Sequence, residues 1–288
     1  MKPTFLVIGA AKAGTTSLCA LLGSHPGVFM TEPKETNFFA YDELFAKGPE
    51  WYESFYREAG DCCARGEGSP LYTLDSIYPD TARRIASYGP ALKLVFIARH
   101  PLKRIESGWL EMRTWGDETV HANFDRALRL NHDWLVESTK YWQQLERYRR
   151  FFPDEQILVL FFEDFIADRQ SVLSRTFEFL GVDAEAPIDV SISHLNRSSD
   201  KRIRRRSVSM LRAIPGIGLA YNAAKMLMPE SFRVAIRNHV LNAPVTERPR
   251  WKPESQLQIV KELRGDCERF LDYCGKPHDY WDIDTPLG

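Results

Sequence analysis

Six consecutive residues, Lys12-Ala13-Gly14-Thr15-Thr16-Ser17, bring a cation, a glycine and three hydroxyls together at the end of the stretch FLVIGAAKAGTTS. Gly9 and Gly14 keep the spacing of the nucleotide-binding form G-x-x-x-x-G-K-[ST], but Thr15 stands where that form has its lysine and Lys12 lies inside the loop. The backbone N–H groups of such a loop, directed from a helix N-terminus, bind phosphate oxygens without side-chain charge. Gly14 lets the backbone approach closely, and Thr15, Thr16 and Ser17 add hydroxyl donors. A loop that handles a triphosphate also needs a lysine on the outer phosphates and a hydroxyl holding Mg²⁺. With Lys12 moved earlier, the loop suits a shorter anionic tail, the lysine lying over a bridging oxygen to neutralise a leaving phosphate. Taken alone, the stretch also fits a generic anion loop or an ordinary glycine turn.

A second set lies in Arg99-His-Pro-Leu-Lys-Arg-Ile-Glu-Ser107. Pro101 favours a helix start, and Arg99 and Ser107 bracket the first two turns that follow. A planar guanidinium fork and a hydroxyl make a sensible pair for a separate phosphate. Two phosphate sites at strand ends suit a nucleotide phosphorylated at both ends. The acidic pair Glu163-Asp164 ends another apolar run, as a Mg²⁺-holding strand end would.

These residues need a scaffold that brings strand ends together. Phe5–Ile8, Leu92–Ala98 and Gln156–Phe162 read as strands apolar on both faces. Helical spacing appears at Thr15–Leu22, Tyr141–Phe151 and Ser171–Leu180. Buried strands separated by helices argue for a parallel sheet covered on both sides. The 288 residues, 44% of them hydrophobic, suffice for one large α/β domain or two small ones. No repeat or low-complexity linker interrupts them, although composition shifts near Ser193–Pro249, where a basic run precedes a Met- and Ala-rich stretch.

Lys plus Arg number 38 against 39 Asp plus Glu, so any anion site is local and no general attraction to nucleic acid is expected. The five cysteines are odd in number and lack paired metal spacing, which points to reduced thiols. Met1-Lys-Pro-Thr leads straight into a strand without a signal-peptide core, and no run reaches the ~18 apolar residues of a membrane span. A cytoplasmic protein without a transmembrane segment is the expectation.

The segment IGAAKAGTTS resembles the 5′-phosphosulfate loop of sulfotransferases that use 3′-phosphoadenosine-5′-phosphosulfate (PAPS), and LVFIARHPLKRIESGW resembles their 3′-phosphate motif. His25-Pro26, EPKETNFF (32–39), YWQQLERYRRFFP (141–153), Phe162-Glu-Asp-Phe165 and Phe179-Leu-Gly-Val182 fit the same family, closest to its heparan-sulfate-type and bacterial carbohydrate or small-molecule branch. The likeness covers about residues 4–192 and, more loosely, 248–282. It implies a P-loop NTPase-like three-layer α/β/α fold with a central, mainly parallel sheet of about five strands, in one domain of residues 1–288 with 193–250 as a lid or acceptor-side insertion. It implies PAPS as cosubstrate, released as adenosine 3′,5′-bisphosphate, with no metal.

Roles carry over residue by residue. Lys12 would contact the bridging and leaving oxygens, with Ala13, Gly14, Thr15, Thr16 and Ser17 around the 5′ end and Arg99 and Ser107 on the 3′-phosphate. The family's base, a Glu three residues before a Phe-Phe pair, is Glu35 in Glu35-Thr-Asn-Phe38-Phe39. Glu32 competes for that role, and either can be a plain loop carboxylate. His100 does not sit where the cytosolic branch has its histidine and reads as a helix-entry residue. Glu67-Gly-Ser-Pro-Leu-Tyr72 departs from the heparan-sulfate pattern at Gly68, where a lysine is usual near the acceptor; Lys34 is a candidate to compensate. Arg248-Pro-Arg250 loosely resembles the loop that closes on PAPS, and reads equally as a charged surface turn.

The run Lys201-Arg-Ile-Arg-Arg-Arg206 and the apolar positions to Leu227 could be a solvated face, a lid or acceptor wall, or a peripheral membrane contact. Trp109, Trp115, Trp134 and Trp142 read as packing residues before sugar platforms. The expected reaction is transfer of a sulfuryl group from PAPS to a hydroxyl, or an amine, of a carbohydrate, glycolipid or small molecule. The alternatives are a P-loop small-molecule kinase and a non-catalytic nucleotide-binding protein of the same fold.

Overall fold

A computed structural model describes residues 1–114, 123–189, 202–204, 242–244 and 248–285. Its centre is a five-stranded sheet in the order β2-β3-β1-β4-β5. The strands are β1 Phe5–Gly9, β2 Val28–Met30, β3 Ala64–Glu67, β4 Lys93–Ala98 and β5 Ile157–Phe161, all paired in parallel. β1 and β5 are buried throughout, and β4 is buried after Lys93. This is why they read as continuous apolar runs rather than as alternating ones.

The principal helices are α1 Thr15–Leu22, α2 Thr81–Tyr88, α3 Pro101–Met112, α4 Tyr141–Arg149, α5 Arg169–Leu180 and α6 Pro253–Tyr273. Proline at the first turn starts α3 and α6, where the missing N–H costs nothing. Asp168 caps α5 by accepting from the Ser171 amide at 3.0 Å, and Gly181, at φ 81°, ends it in the left-handed conformation.

The chain leaves β1 through α1 toward β2, and leaves β3 through α2 in the opposite direction, past β1, to β4. Right-handed crossovers running in opposite directions lie on opposite faces of the sheet, which gives the three layers. From β4 the chain continues toward β5, so the connections after the neighbouring strands β1 and β4 diverge. A crevice opens at their carboxyl ends, the topological switch point where open α/β sheets bind ligands. Both sequence-predicted phosphate motifs begin there.

β2 and β3 escaped direct reading of the residues. β2 is only three residues long, and β3 is Ala-Arg-Gly-Glu, buried at Ala64, Gly66 and Glu67 although two of its side chains are charged. The remaining short elements include an antiparallel pairing of Arg202–Arg204 with Asn242–Pro244. The rest of the 193–250 insertion, apart from Arg248–Arg250, lies outside the described residues, as do most of the basic and apolar 201–227 stretch and Trp115. Trp109 is buried and Trp142 half-buried against the core.

Candidate active site

After β1 the chain turns through Ala10–Gly14 into α1. The Ala10 amide donates to the Ile97 carbonyl of β4 at 2.8 Å, and the Ala13 amide closes the turn on the Ala10 carbonyl at 3.1 Å. Lys12 and Gly14 both hold the left-handed conformation, at φ 69° and 95°. Glycine adopts it without steric cost. A side chain at 14 is excluded a second time, because a Cβ there would lie 2.7 Å from the Phe162 ring. The first intrahelical bond of α1 runs from Leu18 N–H to the Gly14 carbonyl at 3.0 Å. The amides of Thr15, Thr16 and Ser17 therefore belong to the first turn, whose N–H groups have no helical acceptor. No acidic residue sits in that turn, so the positive end of the helix faces the crevice uncompensated from within the helix.

The loop's carbonyls are gripped from α3's side. Arg99 Nη1 donates to the Lys12 carbonyl at 3.2 Å, and its guanidinium lies 4.7 Å from the Phe162 ring centre. Tyr141 in turn donates its hydroxyl to the Arg99 carbonyl at 2.8 Å. Arg104 Nε donates to the Ala11 carbonyl at 3.0 Å, while its Nη1 reaches the Trp134 and Leu135 carbonyls and the Thr139 hydroxyl at 2.9, 3.0 and 3.0 Å. Arg104 is fully buried, and burial pulls its pKa down to about 10. Sequence reasoning passed over it. Its only signal is its place on the inward stripe of α3 with Pro101, Ile105, Gly108 and Met112, where a charge is out of pattern.

Lys12 extends toward α3, where its Nζ donates to Glu111 Oε2 at 2.8 Å with both side chains partly buried. Glu111 lies one turn beyond Ser107 and was not anticipated. Ser107 itself is buried on α3. Glu106, beside it, accepts from Trp251 Nε1 at 3.1 Å, and the Trp251 ring meets Phe124 edge-on at 4.8 Å. Lys252 pairs with Asp125 at 2.5 Å. The Glu106 bond ties the 248–252 segment to the helix that carries Ser107, and Phe124 and Asp125 tie it to the helix Phe124–Leu130. Pro249 and Trp251 face inward, while Arg248 and Arg250 alternate outward and are exposed.

Glu35 projects from the turn after Pro33. It is exposed and pairs with Lys34 Nζ at 2.8 Å rather than with Lys12. Glu32 is also exposed. Charges at Lys34, Glu67 and Glu35 all bear on the Cys19 thiol, one turn into α1, so this turn runs alongside the helix whose N-terminus receives the loop. A Cβ on Gly68 would stand 2.4 Å from Cys19 Sγ. Position 68 therefore has no room for a side chain as the chain is folded here, and the cation beside Glu35 is Lys34.

The acidic pair after β5 serves the C-terminal segment. Glu163 accepts from the His100 amide at 2.9 Å and from Trp281 Nε1 at 3.2 Å. Asp164 binds Lys276 Nζ at 2.9 Å and the Tyr280 hydroxyl at 2.7 Å. His100 itself reaches the Asp282 carbonyl at 3.0 Å and joins this clamp. Elsewhere, His132, Glu137 and Glu262 approach within 4.8 Å of one another, but the Lys140 ammonium bridges both carboxylates at 2.5 and 2.9 Å.

The sheet order, together with a loop that runs from the central strand into a helix N-terminus, defines a P-loop-type α/β protein. The family is narrower than that class. The family model for the sulfotransferase domain matches residues 2–215, and the chain belongs to the family of PAPS-dependent sulfotransferases. It is 28% identical over 190 residues to heparan sulfate glucosamine 3-O-sulfotransferase 5 of Mus musculus, covering 62% of this chain and 54% of that protein. It is 29% identical over 188 residues to heparan sulfate glucosamine 3-O-sulfotransferase 6 of Homo sapiens, covering 62% and 52%. The aligned part thus spans about half the length of these relatives. Among solved structures, a sulfotransferase from Alicyclobacillus acidocaldarius superposes with a TM-score of 0.65 at 21% identity over 98% of this chain and 99% of that one, a likeness of fold.

Proposed function

We propose that this protein transfers the sulfuryl group of PAPS to a hydroxyl of a carbohydrate, glycolipid or small-molecule acceptor. The observation that carries the reading is the junction of the two motifs: the loop bearing Lys12 and the strand end bearing Arg99 meet at the β1–β4 crevice, joined by the 3.2 Å bond from Arg99 to the Lys12 carbonyl. A nucleotide charged at both ends fits that junction. Its 5′-phosphosulfate would rest on Lys12–Ser17 at the N-terminus of α1, and its 3′-phosphate would meet Arg99 and Ser107. Arg248 and Arg250, held to α3 through Trp251, would close over it, with the wider 193–250 insertion as lid within a single domain.

In the reaction, the acceptor oxygen attacks sulfur in line as its proton passes to the Glu35 carboxylate. The bond between sulfur and the bridging oxygen breaks, and its electron pair stays on the 5′-phosphate of adenosine 3′,5′-bisphosphate. Lys12 stabilises that developing charge as an ammonium aimed at the leaving oxygen. The names of the relatives, which specify glucosamine O-sulfation and, at 27% identity, N-sulfation, support a carbohydrate acceptor with either oxygen or nitrogen as nucleophile. Among the described residues, no helix is long and apolar enough to cross a membrane. In this reading the protein works in the cytoplasm, where its five free thiols stay reduced.

A small-molecule kinase needs a carboxylate at the β5 end for its Mg²⁺, and Glu163 and Asp164 are engaged with His100, Trp281, Lys276 and Tyr280. The test is transfer of radiolabelled sulfate from PAPS into a cell extract of the encoding organism. A labelled species that depends on active protein is expected; no labelled species at any protein concentration would overturn the proposal.

A further inference from the structure

Glu67, the last residue of β3, is a carboxylate with no exposed surface. Its Oε1 accepts from the hydroxyls of Tyr72, Thr36 and Tyr52 at 2.5, 2.9 and 3.3 Å. Its Oε2 accepts from the Ser69 hydroxyl at 2.5 Å and the Thr36 amide at 3.3 Å. All five donors are hydroxyls or an amide, and none is a lysine or arginine. Burial pushes this carboxyl above the usual carboxylate range, while the bonds from Ser69, Tyr72 and Thr36 pull the other way. A buried anion is costly, and an apolar residue of similar volume would often serve stability as well or better. What the group holds is therefore informative.

Two of the five donors belong to Thr36, the residue after Glu35. On the other side of Glu35, the Lys34 carbonyl accepts from the Gly68 amide at 2.9 Å. One residue further on, the Asn37 amide donates to the Ser69 hydroxyl at 3.0 Å, with Asn37 in the left-handed conformation at φ 51°. The consecutive residues 67, 68 and 69 thus grip residues 34, 36 and 37, and Glu35 is left between them as the exposed side chain. Beyond the turn, Phe38 is stacked on Tyr52 at 4.5 Å, and the Phe39 amide lies 3.5 Å from the Tyr72 hydroxyl. The two tyrosines that bond Glu67 also anchor the Phe-Phe pair.

We propose that Glu67 is a positioning residue for Glu35: acting through Thr36, it fixes the turn from which the Glu35 carboxylate meets the acceptor. The inference rests on Glu35 being the base. Proton transfer needs heavy atoms within hydrogen-bond reach in the reacting geometry, and a displacement of about 1 Å can cost roughly a hundredfold in rate.

The test compares Glu67→Gln, Thr36→Val, their double variant and Glu35→Gln in the full-length protein. The probes are radiolabelled PAPS with the cell extract, for kcat and the KM for PAPS, and titration with adenosine 3′,5′-bisphosphate. Glu67→Gln is expected to lower kcat by about tenfold to a hundredfold. Nucleotide affinity and the KM for PAPS should stay within about twofold, because none of the groups bonded to Glu67 belongs to Lys12–Ser17. Thr36→Val should act in the same direction, and the double variant should fall no further than the more severe single one, since the two share one linkage. Wild-type kcat in a folded Glu67→Gln protein, or losses that multiply in the double variant, would overturn the proposal. Should Glu67→Gln fail to fold, wild-type kcat in Thr36→Val overturns it alone. If Glu35→Gln retains wild-type kcat, the base assignment is what falls, and the positioning role falls with it.

Discussion

Lys12 and Glu111 share a 2.8 Å ion pair in which neither side chain is fully exposed, so the charge that would meet the leaving phosphate already has an acidic neighbour. Opposite charges at that distance interact by a few kcal/mol at an effective dielectric near 20, and a nucleotide phosphate nearby would feel Glu111 as repulsion. Glu111→Gln is therefore expected to tighten adenosine 3′,5′-bisphosphate about threefold to tenfold in calorimetric titration; weaker binding would show instead that Glu111 orients Lys12 for the ligand. Lys12→Ala is expected to lower kcat by about a hundredfold or more in the sulfate-transfer assay, the size typical of losing one charge-stabilising donor. A change confined to the KM for PAPS would assign Lys12 to binding that is equal in the ground and transition states. Lys12 and Glu35 could be singled out from their motifs because both stand in local patterns. Glu111 and Arg104 could not. Their partners, Lys12 and Ala11, lie about ninety to a hundred residues away, and no local spacing records such a contact.

α3 joins the two halves of the site. Pro101 starts it, Arg104 ties it to the Ala11 carbonyl, Ser107 is buried on it, and Glu106 holds Trp251. Removing the Arg104 guanidinium takes the donor from the Ala11 carbonyl, while the Trp134 and Leu135 carbonyls keep the Ser138 and Thr139 hydroxyls; an unsatisfied buried acceptor costs about 1–3 kcal/mol. Arg104→Met should therefore destabilise the fold by roughly 1–3 kcal/mol in denaturant unfolding, with nucleotide affinity lost at temperatures where the protein remains folded. An unchanged midpoint would mean that water replaces the guanidinium. A second coupling runs through Asp266 on α6, which accepts from the Trp142 and Gln143 amides at the start of α4 at 3.0 and 2.9 Å. Burial raises its pKa from 3.8 to about 6, so the folded protein holds this proton more tightly than the unfolded chain. The stability tied to that proton is complete below the unfolded value and is lost as pH rises through the folded one. Melting temperatures measured from pH 4 to 7 should fall across that window in the wild type and fall less in Asp266→Asn. Equal slopes would contradict the assignment. Of these elements, β1, β4, β5, α1, α4 and α5 were legible because apolar runs and helical periodicity are local signals. β3 was not, since Arg65 and Glu67 break its apolar run, and their partners, some near (Cys62, Ser69, Tyr72) and some far (Lys2, Thr36), leave no periodic signal.

Across the whole molecule, the five-stranded order and the β1–β4 crevice explain why two short motifs about ninety residues apart act at one place. The number of strands followed from family likeness rather than from the residues, because β2 and β3 are three and four residues long. The acceptor side is the part that single-sequence reading could not reach. In the proposed reading it would involve Gly68, where this chain departs from the heparan-sulfate pattern, together with Lys34 and the 193–250 insertion. A crevice that takes a nucleotide with a 5′-phosphosulfate and a 3′-phosphate can be probed by thermal unfolding of the protein with adenosine 3′,5′-bisphosphate and, separately, with ATP–Mg²⁺. Saturation at 100 times Kd adds about 2.7 kcal/mol of stability, enough for a clear shift in Tm. The bisphosphate is expected to raise Tm by several degrees while ATP–Mg²⁺ leaves it near its starting value. Stabilisation by ATP–Mg²⁺ with none from the bisphosphate would contradict that reading of the crevice.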